Sequence, residues 1–261
     1  MRTMGQLSAV DAGRDQHFRL ARRQFFEEGE CPDEGVPALI LSSWQRCRAL
    51  GVDRANRDPR EHGERARLAE VRERSARLVE HASGVMEHVF EQIRASGSVV
   101  LLSDPQGTIV HSLGDADFVD RANRVALHPG ACWSEAARGT NAIGTAIANG
   151  CPTVIHGAEH YLDCNGVLTC SAAPIFAPHG ELIGVLDASA LASPDARDSQ
   201  RLVRHGHGAH DFLNQCVSAL AFCQSSIGQD QTMSQHIRHQ ISHVLGQRVI
   251  STTQQGKRSG T

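Results

Sequence analysis

The sequence predicts an α/β (α+β) sandwich, a central antiparallel sheet with helices on both sides, preceded by a helical N-terminal region. Three observations carry this expectation. Two segments read as β-hairpins, closed by Asp104-Pro105-Gln106-Gly107 and by Ala177-Pro178-His179-Gly180. In each turn Pro presets φ and Gly frees the exit. A slim helical stretch separates the hairpins, and a long apolar seam precedes the first, so one sheet layer has helices to cover it.

In chain order, residues 1–30 are charged and read as flexible or partly helical. Leu39 to Leu50 has helical spacing through Ile40, Trp44 and Cys47, with Gly51 as a stop. Asp58-Pro59 resembles a helix start, Asp capping and Pro at the first helical position. Leu68 to Ile93 is the strongest helix, with Val71, Ser75, Leu78, Ala82, Val85 and Val89 in steps of three and four. That seam fits a helix packed on its own domain, and it also fits a dimerising signal helix. Ser98 to Ser103 and Thr108 to Ser112 flank the first turn. Thr140 to Asn149 follows as a short helix, capped by Thr140 and ended by Gly150 and Pro152. Gly144, Ala142, Ala146 and Ala148 keep it slim enough to approach the sheet closely. Pro152 to Ile155 reads as a strand, and Ala172–Phe176 and Leu182–Asp187 flank the second turn. Arg197 to Phe222 has helical content broken by Gly206 and Gly208. From Gln224 onward the chain is polar and reads as disordered. Three segments are therefore expected: a helical N-terminal region at 1–66, a sheet-and-helix domain at 67–200, and a divergent helical or disordered tail at 201–261.

Composition excludes several functions. With 21% charged residues and a formal net charge of −3, the chain carries no global basic field to hold nucleic acid. Aromatics at 4% are too few for base-stacking platforms. No apolar run approaches the roughly 20 residues that span a bilayer, and the polar start does not resemble a signal peptide. A cytoplasmic chain without membrane contact is expected, its 8 cysteines reduced. No C-x-x-C pair occurs.

The strings at 129–146 (PGACWSEAARGTNAIGTA), 152–162 (PTVIHGAEHYL) and 168–189 (LTCSAAPIFAPHGELIGVLDAS) resemble the GAF domain of acetoin-catabolism activators, in that family's order and spacing. Upstream, Ser43-Trp44-Gln45-Arg46-Cys47 resembles the family's N-terminal helix. Members are sigma-54-dependent transcription activators, so the resemblance implies that 67–200 is a GAF ligand-sensing domain. Acetoin-like ketones, diols or alcohols are the implied ligands, and a homo-oligomer is expected. The family's ATPase and helix-turn-helix parts are not expected here. No G-x-x-x-x-G-K-[ST] loop occurs and the chain after about Gln200 departs from the family, so no direct DNA binding is expected either.

A small-molecule pocket needs apolar walls and a few fixed polar groups. Within the matching blocks the candidates are Trp133, Ser134, Glu135, Asn141, His160, Tyr161 and Cys170. Trp133 supplies a wall and an N–H donor, and Asn141 offers both a donor and an acceptor. The bland alternative makes Trp133 core and Glu135 a helix cap.

His156-Gly157-Ala158-Glu159-His160 matches H-x-x-E-H, but zinc chemistry there requires one long helix. A strand precedes it and Gly157 interrupts it, so hydrogen bonds around a strand end are expected. Gly139 to Thr145 mimics a phosphate loop without its Lys and reads as close helix packing. His205, His207, His210, His236, His239 and His243 make a solvated tail. No cofactor, metal or catalytic residue is expected. The rival function is a cysteine-based GAF reductase of free methionine sulfoxide, for which Cys132, Cys151, Cys164 and Cys170 are the candidate thiols. Against it, a cytosolic Cys is usually a small buried hydrophobe.

Overall fold

Largely apolar segments at 98–103, 168–176 and 182–191 build the centre of a five-stranded sheet in the computed structural model, which describes residues 18–32, 35–56, 64–93, 97–114, 126–177 and 179–191. The strands are β1 (Ser98–Ser103), β2 (Ile109–Gly114), β3 (Thr153–His156), β4 (Leu168–Phe176) and β5 (Leu182–Leu191). Their order is β2-β1-β5-β4-β3, and every pairing is antiparallel. Both expected hairpins form. Gly107 N–H donates to Asp104 O at 3.1 Å, and Gly180 N–H to Ala177 O at 2.9 Å. The Asp104 carboxylate also accepts from the N–H of Gln106 and Thr108, which fixes the first turn.

Successive strand residues point to opposite faces, so the sheet divides the interior into two cores. Val100, Leu102, Val110, Ala173, Ile175 and Leu186 form the outer face. Helices α2 (Glu64–Arg74) and α3 (Ala76–Ile93) cover it with Val71, Ala82, Val85, Met86 and Val89. The apolar seam is thus buried against its own sheet. The single expected helix is interrupted at Ser75, the one polar position of the seam and a residue of low helix propensity. Backbone bonds continue across the break, Ser75 N–H to Val71 O and Val79 N–H to Ser75 O, each 2.9 Å.

The inner face presents Val99, Leu101, Ile155, Leu168, Cys170, Ala172 and Val185. Helix α1 (Ala38–Ala49), the short α4 (Glu135–Arg138), α5 (Ala142–Asn149) and a π-helical turn at Gln24–Glu28 belong to this side. Trp44 is wholly buried there, and its indole N–H donates to Glu159 O at 2.8 Å. Phe18, Phe25, Ile40, Trp44 and Cys47 share one core with the sheet, across the boundary drawn at residue 66. Arg22 fastens the same layer: its guanidinium bonds the carbonyls of Ala158, His160 and Tyr161 and pairs with Asp163 at 2.6 Å.

The cap of α5 differs from expectation. Asn141, not Thr140, accepts from Gly144 N–H, at 2.8 Å. Both residue types can cap, but the Thr140 hydroxyl is engaged by Ser43 at 2.7 Å. Gly150 ends α5 in the left-handed conformation, φ 61°. Among the described residues no helix is long and apolar enough to cross a membrane. The expected helix start at Asp58-Pro59, the helical content of 197–222 and the His-rich tail lie outside the described residues.

Candidate functional site

Block 129–146 folds over the inner sheet face. The Gly107 carbonyl accepts from the Trp133 N–H at 2.7 Å, which ties the block to the first hairpin turn. The Trp133 indole donates to Ala126 O at 2.8 Å, and the Arg138 guanidinium lies 5.7 Å from a ring centroid. Ser134 caps α4 by accepting from Ala137 N–H. Asn141 spends its amide on Gly139 O while capping α5. At Gly144 a Cβ would stand 2.7 Å from Glu135 N and 2.8 Å from Trp133 O, so the expected close packing is of α5 on this block.

Glu135 is buried in a polar knot. Its Oε1 accepts from Ser43 Oγ (2.6 Å), Arg46 Nη2 (2.7 Å) and Thr145 Oγ1 (3.1 Å), and its Oε2 from Arg46 Nε (2.7 Å). That hydrogen bonding holds the Arg46 guanidinium above its ordinary pKa. The knot joins α1 to α4 and α5.

The second block places His160 and Tyr161 beside the N-terminal elements. The Tyr161 ring meets Phe26 edge-on at 4.9 Å. His160 is fully buried, and its Nδ1 bonds Gly157 O at 3.1 Å. A carbonyl only accepts, so Nδ1 carries the proton and Nε2 is an acceptor with no partner among the described residues. Burial pushes the imidazole down to about 3. The H-x-x-E-H string forms a strand end and one 3₁₀ turn (Gly157–Glu159), in which the Glu159 carboxylate accepts from His156 N–H. His156 turns to Thr169 Oγ1 at 2.7 Å. Among the described residues no group of three or more His, Cys, Asp or Glu is placed to hold a metal ion.

Cys170 lies on the inner face of β4, opposite Ser189 of β5. Ser189 Oγ donates to Asp187 Oδ2 at 2.7 Å, and Asp187 Oδ1 has no partner among the described residues. Burial pushes the Asp187 carboxyl up to about 7. Burial, with Asp187 beside it, raises the Cys170 thiol well above its ordinary value. Ser103 Oγ on β1 is a second buried group of the central strands without a hydrogen-bond partner among the described residues. Sequence reasoning missed Asp187, Ser189 and Ser103. The available signal was an acid standing between Leu186 and Ala188 in an otherwise apolar strand.

The seven expected residues lie in the layer over the inner sheet face. A cleft of about 480 Å³ opens on the opposite side of the sheet, lined by Leu78, Ala82, Ile175, Phe176 and Leu182 among others, and by none of the seven.

The family described as "MimR, N-terminal domain" matches residues 14–203. The chain is 40% identical over 169 residues to the acetoin catabolism regulatory protein of Cupriavidus necator, covering 63% of this chain and 25% of that protein. It is 28% identical over 200 residues to AcoR, the acetoin dehydrogenase operon transcriptional activator of Bacillus subtilis, covering 77% and 31%. The chain therefore spans only a quarter to a third of these relatives. Among solved structures, the E. coli DhaR(N)–DhaL complex contains a chain that superposes with a TM-score of 0.62 at 18% identity, over 78% of this chain and 64% of that one. At that identity the likeness supports the α/β fold. The matched span contains every described helix and strand, and the chain belongs to the MimR N-terminal domain family, the GAF-like region shared with sigma-54-dependent activators of the acetoin-catabolism type.

Proposed function

We propose that this chain is a small-molecule-sensing module of a bacterial sigma-54-dependent transcription regulator, responding to a small polar metabolite of the ketone, diol or alcohol class. The observation that carries the proposal is the fold of block 129–146, where Trp133 and α5 roof the inner sheet face. Trp133, Ser134, Glu135, Asn141, His160, Tyr161 and Cys170 form the layer around the ligand, within a sensing domain at 67–200. The module acts without catalysis, in the cytoplasm and as a homo-oligomer, with no DNA contact of its own. Binding biases an oligomer interface through the ligand's differential affinity for two states.

The thiols favour sensing over the reductase alternative. Of the four candidate thiols, burial raises Cys151 and Cys170, which lowers the thiolate fraction a nucleophile needs. Thermal-shift titration with acetoin, 2,3-butanediol and short ketones tests the proposal, because a ligand bound only by the folded state raises its melting temperature. Failure of every compound to shift well-folded protein rejects it.

A further inference from the structure

Ser103 and Asp187 lie on the same inner face of neighbouring central strands. In the β1–β5 register Ser103 pairs with Val185 and Leu101 with Asp187, which makes Ser103 and Asp187 diagonal neighbours. Diagonal neighbours stand roughly 7–8 Å apart. Both side chains are buried, at 0% and 1% exposure, and each retains an oxygen with no hydrogen-bond partner among the described residues. A buried polar group left without a partner is destabilising, because it has given up its water without replacement. Holding two such groups diagonally adjacent on one face is a cost that a bound molecule would remove.

We propose that Asp187 and Ser103 are the polar anchors of the ligand site on the inner sheet face, and that they select a small neutral molecule carrying a hydroxyl beside a second oxygen. The proposal rests on the sensing function above and names its ligand class. A carboxylate only accepts, so the group that meets Asp187 Oδ1 must donate, as a hydroxyl does and a ketone does not. The Ser103 hydroxyl donates or accepts, so it takes either a hydroxyl or a carbonyl oxygen. Two hydrogen bonds of about 2.8 Å each take up most of a diagonal spacing of roughly 7–8 Å, which leaves room for two oxygens carried close together on one small molecule. Ser189 holds Asp187 Oδ2 and so aims the free oxygen. Burial raises the carboxyl to about 7, so at pH 8 it is mostly ionised and acceptor-only.

The test uses three probes on one carbon skeleton: 2,3-butanediol, acetoin and diacetyl, with two, one and no hydroxyls. Each is titrated calorimetrically into the full chain at pH 8. Wild type is expected to bind diol and acetoin at least about tenfold more tightly than diacetyl. Asp187→Asn supplies an amide donor for a carbonyl, so its diol-to-diacetyl preference should collapse or reverse. Ser103→Ala should weaken all three severalfold. Should the Asn variant fail to fold, the wild-type ranking and Ser103→Ala decide the matter alone. Equal binding of diol and diacetyl by wild type, an unchanged preference in folded Asp187→Asn, or no effect of Ser103→Ala overturns the anchor assignment. If some other short ketone or alcohol binds regardless of these substitutions, sensing stands and only the anchors fall. If nothing binds wild type, both proposals fall.

Discussion

Arg46 grips Glu135 through a two-pronged ion pair, Nε to Oε2 and Nη2 to Oε1, each at 2.7 Å. Glu135 is buried while Arg46 reaches the surface, so the carboxylate depends on the pair more than the guanidinium does. Arg46→Ala is expected to destabilise by about 2–4 kcal/mol, because it leaves a buried carboxylate with hydroxyl donors alone. Glu135→Gln should be milder. A double-mutant cycle in urea should give a coupling of roughly 1–3 kcal/mol. Additive effects would mean that the pair does not hold α1 to α4.

Asp187 and His160 set opposing pH dependences. The folded Asp187 carboxyl titrates at about 7, against 3.8 for the ordinary group. Its stabilising contribution is complete below about pH 4 and is lost as pH rises through 7, by up to ~4 kcal/mol. His160 is depressed to about 3 from 6.5, so its contribution is present above pH 6.5 and is lost on acidification toward 3. Across pH 4 to 6.5 the two slopes oppose each other. Asp187→Asn should therefore be more stable than wild type at pH 8 and should lose stability more steeply on acidification. Chemical denaturation at pH 5 and pH 8 measures both, and parallel pH profiles for the two proteins would refute the assignment.

Gly139 sits at φ +64°, where an added Cβ would collide with the Tyr161 side chain, 2.7 Å from Cγ. Gly139→Ala combines backbone strain with a clash and is expected to cost more than about 2 kcal/mol. Gly144→Ala meets backbone atoms Glu135 N and Trp133 O and should lift α5 from its block. Thermal melts are expected to show a larger loss for each than for Gly29→Ala, whose Cβ meets nothing within 4 Å although its φ of +75° adds strain.

The thiols should separate by access. Cys31 is exposed, while Cys47 and Cys170 are buried with raised pKa values. A thiol reagent should label Cys31 promptly and reach Cys47 and Cys170 only on unfolding. No thioredoxin-coupled turnover of free methionine sulfoxide is expected. Turnover that disappears in Cys164→Ser or Cys170→Ser would establish the reductase and end the sensor proposal.

Local physics made much of this protein legible from sequence. The hairpins follow from Pro and Gly in turns between β-rich segments, and α1 and the α3 seam follow from their helical spacing. The slimness of α5 follows from its Gly and Ala content, and the structure shows that Gly144 uses it to approach the backbone of Trp133 and Glu135. The family was visible because its strings lie in the chain contiguously.

Tertiary structure alone decided who partners whom. Thr140 and Asn141 are both competent caps, and Ser43, 97 residues from Thr140, takes that hydroxyl and leaves Asn141 the helix. Glu135, expected at a ligand, is engaged by α1 residues 89 and 92 positions away. Asp187 and Ser103 become neighbours only through the register of β1 on β5. Backbone turns and periodicity are fixed by residues within a few positions. A buried polar group takes whichever donor or acceptor the packed chain brings within about 3 Å, a choice made at long separation.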